Sequence, residues 1–101
     1  MTTAAALATI APVTLVALPV EVQGMPYTQA NWKALDRWLS ASLSPEQYEF
    51  SPDGSQLAIE TVEGDKDCIA DEYWILQGTE GEFYPCLNTV VDRKYRIQAA
   101  S

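Results

Sequence analysis

The 101-residue sequence contains no histidine, so the commonest general base and metal ligand at neutral pH is missing. Cysteine is scarce. Cys68 and Cys86 are too few for a disulfide framework and read as two reduced, partly buried thiols. Cations are few as well: six Lys plus Arg stand against fourteen Asp plus Glu, a formal net charge of −8. Such a balance excludes a surface built to grip a phosphate backbone. The stretch from Met1 to Val22 is apolar and lacks Lys and Arg, but it also lacks the basic start of a secretion signal. Pro12 and scattered Thr residues interrupt it, which argues against a membrane-spanning helix. No Cys-x-x-Cys pair and no phosphate-cradling Gly-rich loop is present. Asp65-Lys66-Asp67 lacks the glycine and terminal glutamate of a calcium loop. Cys86 has no base partner in the sequence, and Pro85 beside it suits a strand edge. These absences read as a non-enzyme with no metal and no cofactor.

What is present reads as a single domain over residues 1–101, with an apolar arm at 1–12 and a tail at 98–101. Val20-Glu21-Val22-Gln23 alternates and predicts the end of a first strand, followed by a connection at Gly24-Met25-Pro26-Tyr27. Thr28 is the expected N-cap of a helix reaching about Leu43, with Trp32, Leu35, Leu39 and Leu43 forming one apolar stripe. Ser44-Pro45 ends that helix. Tyr48-Glu49-Phe50 and Gln56 to Thr61 flank the turn Ser51-Pro52-Asp53-Gly54-Ser55 as one hairpin. A reversal at Glu63-Gly64-Asp65-Lys66 leads to a short strand over Asp67–Ala70. Trp74-Ile75-Leu76 and Glu82 to Cys86, joined through Gly78 and Gly81, form a second hairpin. Leu87-Asn88-Thr89 reads as a loop, and Val90 to Ile97 as a strand or a turn followed by one. The expected fold is α+β: one amphipathic helix packed across a bent antiparallel sheet of five or six strands, partly closed like a small barrel. The expected core is Val20, Val22, Trp32, Leu35, Leu39, Phe50, Leu57, Ile59, Ile75, Phe83 and Val90.

Charge is unevenly placed. Between Glu46 and Glu82 lie eleven acids and one cation, Lys66, a local charge of −10. Runs of one sign are most often a solvated face that discourages strand pairing. The alternative is a docking face for a macromolecule, and its candidate residues are Glu63, Asp65, Asp67, Asp71, Glu72, Glu80 and Glu82. Arg93, Lys94 and Arg96 leave a weaker option, capture of a small phosphorylated molecule.

The C-terminal third resembles a family of small phage and prophage proteins. Its members end in a pattern close to Gly-Asp-Trp-Ile-Ile-x-Gly-x-x-Gly-Glu-x-Tyr-Pro-Cys-Lys-Pro-Asp-Ile-Phe-x-x-Thr-Tyr. Trp74, Ile75, Gly78, Gly81, Glu82, Tyr84, Pro85, Cys86, Val90 and Tyr95 fall in register with it. Thr61-Val62-Glu63-Gly64 resembles an upstream Thr-Leu-Glu-Gly, and Pro19 to Val22 resembles the family's first strand. The pattern departs at Glu72-Tyr73, where the family has Gly-Asp, and at Leu87-Asn88-Thr89, where it has Lys-Pro-Asp. The family carries no assigned activity, so the resemblance implies an origin more than a mechanism. With the acidic segment it leads to the expectation of an accessory protein in the host cytoplasm. That protein would bind and inhibit or modulate a host, defence-system or phage protein, such as one with a basic, nucleic-acid-binding surface, without touching nucleic acid or membrane itself. The alternative expectation is a virion or assembly component that self-associates through the apolar arm.

Overall fold

The computed structural model describes residues 21–96. In chain order the elements are β1 (Gln23–Tyr27), α1 (Trp32–Ser40), β2 (Tyr48–Phe50), β3 (Gln56–Thr61), β4 (Gly64–Ile69), β5 (Tyr73–Gln77), β6 (Phe83–Leu87) and α2 (Asn88–Lys94). The class is α+β, with six antiparallel strands and one helix packed across them. The expectation of one bent, partly closed sheet is corrected. The strands form two open three-stranded sheets, a first of order β1-β5-β6 and a second of order β2-β3-β4. The break lies between β4 and β5. There Asp71 adopts a left-handed φ of 73°, which Asp tolerates better than most residues, and its N–H donates to Tyr27 C=O at 2.7 Å. That bond starts the pairing of β5 with β1 and turns the chain away from β4.

Both anticipated hairpins form. Phe50 pairs with Leu57 across the β2–β3 turn, and Gln77 pairs with Phe83 across the β5–β6 turn. The reversal before β4 comes earlier than the sequence suggests. Thr61 pairs with Gly64 around a two-residue loop, and Gly64 takes φ 110° to close it. β1 replaces the expected connection at 24–27. Glycine and proline there suit a loop, yet the strand needs both. A Cβ on Gly24 would press into the Leu76 side chain, and Pro26 stands on the open side of the strand. The strand expected at Val90–Ile97 is replaced by α2, whose Arg93 and Lys94 complement the helix C-terminus. Valines at 90 and 91 favour strands, which hid this helix. The N-terminal arm, the strand residues before Glu21, Val20 and the tail lie outside the described residues.

Hydrogen-bond phase shows which strand sides stay open. Gly78 N–H donates to Glu82 C=O at 2.8 Å and Asn88 N–H to Glu72 C=O at 3.0 Å. By alternation Tyr84 and Cys86 bond toward β5, while Phe83, Pro85 and Leu87 turn their backbone groups outward. The same phase turns Pro26 outward from β1, and its carbonyl accepts the Asn31 side-chain amide at 2.6 Å. Each outer strand of the first sheet therefore carries a proline where an N–H would otherwise face a new strand.

The core lies between the sheets and under α1. Leu35, Leu39, Leu57, Ile59, Ile75 and Phe83 are buried as expected, and Tyr27, Cys68 and Ala70 join them. Trp32, Phe50, Val22 and Val90 are half-buried, and the two aromatics pack at the rim of the core. Trp32 packs against Phe50 with the rings tilted and their centroids 5.3 Å apart, and Trp38 meets Phe83 edge-on at 5.1 Å, so α1 touches both sheets. Thr28 Oγ1 accepts the Asn31 N–H at 3.0 Å, and Asn31 Oδ1 accepts the Thr28 N–H at 2.8 Å. This reciprocal pair fixes the turn that leads into α1. Tyr27 hydroxyl donates to Gly54 C=O at 2.5 Å, joining β1 to the β2–β3 turn and giving a buried phenol its partner. Leu76 and Val91 are buried apart from this core, on the opposite face of the first sheet, where α2 packs on β5 and β6.

Candidate functional site

β3 and β4 alternate in burial, and that alternation sorts the charges. On β3, Leu57 and Ile59 are buried while Gln56, Ala58 and Glu60 are exposed. The register pairs Glu49 with Ala58 and Ala58 with Asp67, so these three cross the outer face in one row. Glu60 lies directly opposite Asp65, and Gln56 opposite Ile69. Lys66 is paired with Ile59, on the core-facing side. The single cation of the acidic stretch thus leaves the outer face. Its ammonium instead lies 4.0 Å from Glu63, as an exposed pair of little energetic weight. The outer face keeps Glu49, Glu60, Asp65 and Asp67 with no cation among its outward strand residues, and the half-exposed Ile69 beside them.

This face is broad and shallow. Glu46, Glu49, Glu60 and Asp65 line one depression of about 480 Å³. Glu49, Asp67, Ile69 and Tyr73 line its neighbour, of about 560 Å³. Carboxylates on adjacent strands stand roughly 4.8 Å apart at the backbone. Water screens them, so they suit an extended array of cations better than a single buried ion. Among the described residues no three His, Cys, Asp or Glu side chains converge to hold a metal ion.

The seven residues singled out from the sequence do not form one site. Asp65 and Asp67 stand on the acidic face. Glu63 occupies the β3–β4 loop and Glu82 immediately precedes β6, and both line a groove between that hairpin and β6, as does Asp67. Asp71 and Glu72 serve the β4–β5 connection. Asn88 side-chain amide donates to Asp71 C=O at 2.9 Å, and Glu72 C=O accepts the Asn88 N–H. Glu80 is exposed in the β5–β6 turn. Glu49 and Glu60, absent from that selection, carry the face together with Asp65 and Asp67. Their signal was available: Glu49 stands between Tyr48 and Phe50, and Glu60 follows the Leu57-Ala58-Ile59 alternation as its next outward residue.

No protein-family model, curated protein or solved structure matches this chain. Among the described residues no helix is long and apolar enough to cross a membrane.

Three further titratable groups are shifted by their surroundings. Burial, and after it the Asp67 carboxylate, pushes the Cys68 thiol up to about 11, which keeps it protonated and weakly nucleophilic at neutral pH. Burial likewise raises the Cys86 thiol, partly offset by Lys94. Both cysteines are free. Asp53 is held down to about 2, first by the Ser55 hydroxyl and N–H and then by the Ser51 hydroxyl, at 2.7, 3.0 and 2.9 Å. Those bonds shape the β2–β3 turn. Glu82 differs: its carboxylate lies over Gly78, where a Cβ would collide with it, and its Oε2 is out of water with no hydrogen bond. An unpaired buried acceptor of this kind costs roughly 1–3 kcal/mol.

Proposed function

We propose that this chain is a binding protein that docks through the outer face of its second sheet onto a basic surface of another protein, one that ordinarily holds nucleic acid. The observation that carries this is the sorting of charge by strand alternation, which leaves four outward carboxylates without a cation and moves Lys66 to the other side. Such a face presents negative charge in rows, as a nucleic-acid backbone does, and competes for the same cations. The resemblance to small phage and prophage proteins supports an accessory role in a host cell, acting on a host or defence protein. Catalysis is no part of this reading.

The test is a titration of the chain against a panel of purified DNA- and RNA-binding proteins at rising salt, beside a variant combining Glu49→Lys, Glu60→Lys and Asp67→Lys. Affinity that falls steeply with salt and vanishes in the variant is the expected result. Binding indifferent to salt, or kept by the triple variant, overturns the reading.

A further inference from the structure

The groove between the β3–β4 hairpin and β6 has a different character from the acidic face. Its volume is about 680 Å³, within the roughly 300–1,000 Å³ of sites that enclose a ligand. Val62, Tyr84, Pro85, Leu87 and Val90 form its apolar walls. Val62 is 83% exposed and Leu87 46%, so neither contributes to the core, yet both line this groove. Glu63 and Lys66 offset one another at the hairpin end, which leaves Asp67 and Glu82 as the uncompensated charges.

We propose that this groove binds a short extended segment of a partner protein, one carrying a single Arg or Lys between apolar residues. The apolar side chains cover Val62, Leu87 and Val90. The cation meets Glu82, whose Oε2 has no hydrogen bond to give up when the carboxylate swings toward it. Tyr84 lines the same groove as that carboxylate. An acidic segment is rejected by the net negative walls. Pro85 places no N–H on the open side of β6, so main-chain pairing is interrupted and side chains choose the sequence. The groove shares only Asp67 with the acidic depressions' charged residues, and it reads one cation among apolar groups where that face reads many cations. The two surfaces stand or fall separately.

The experiment is a titration of the isotope-labelled full chain, followed by amide NMR, with a pool of nine-residue peptides holding a central Arg between Val, Leu and Phe. A pool with a central Glu is the control. Shifts concentrated at Val62, Glu82, Tyr84 and Leu87 are expected, with about ten-fold weaker binding in Glu82→Gln. Val62→Asp, at an exposed loop position, should abolish binding without changing the circular dichroism spectrum. Glu49→Gln with Glu60→Gln should leave peptide affinity unchanged while weakening the salt-dependent docking described above. Silence at the groove amides, equal binding of the Glu pool, or shifts confined to Glu49, Glu60 and Ile69 each overturn the proposal.

Discussion

The two sheets are built from strands of similar length and are covered in opposite ways. The first is apolar on both faces: Ile75 looks into the core, and Leu76 is buried behind it beneath α2. The second is apolar on one face only, with Leu57 and Ile59 inward and Ala58 and Glu60 in water. The difference is written in strand composition. Tyr73-Trp74-Ile75-Leu76-Gln77 is a near-continuous apolar run, whereas Gln56-Leu57-Ala58-Ile59-Glu60-Thr61 alternates. A continuous run implies a second covering layer, and a strict alternation implies a free face. The free face is where a partner can be met.

The largest effect that would break this contrast comes from substituting the outer faces themselves. Leu76→Ala should cost roughly 2–5 kcal/mol in denaturant unfolding, as a core truncation does. Ala58→Thr should stay within about 0.5 kcal/mol. Similar losses at both positions would mean that the second sheet is covered too. The seam between the sheets comes next. Gly54 has φ 75°, and a Cβ there would press into the Trp32 indole, so Gly54→Ala should cost roughly 1–3 kcal/mol by thermal melting. Tyr27→Phe removes the hydroxyl that joins β1 to the Gly54 carbonyl and should cost about 1 kcal/mol. On the open face Glu60 stands directly across from Asp65, so Glu60→Gln should raise stability by roughly 0.2–1 kcal/mol at low salt. Added salt should shrink that gain.

The smallest effect is a slope. Asp53 has a folded pKa of about 2, below its ordinary value near 3.8. Its contribution is fully present above the unfolded pKa and is lost as pH falls through the folded one. Acid unfolding of Asp53→Asn should therefore be less steep than wild type between about pH 4 and pH 2.

Much of this was legible in the chain. Both hairpins, α1 and most of the core follow from alternation, turn residues and a three-four stripe. Three features were hidden, each for a physical reason. β1 carries Gly24 and Pro26, which signal a turn unless the strand is known to lie at an edge and to pass close to Leu76. α2 contains adjacent valines, and only its packing on β5 and β6 selects a helix. The start of β4 depends on a two-residue loop at Val62-Glu63. Placing the reversal two residues late conceals that Asp65 belongs to a strand and faces Glu60.

The outward prolines of the first sheet have a consequence for crowded solutions. Pro26 and Pro85 deny a newcomer strand its full ladder by covalent structure, whatever the acidity of the medium. The second sheet relies instead on the charges of Asp65 and Asp67 along its β4 margin, a guard that dissolved ions screen. Concentrated salt would therefore loosen the defence against stray strand pairing on one side of the molecule and leave the other side as it was.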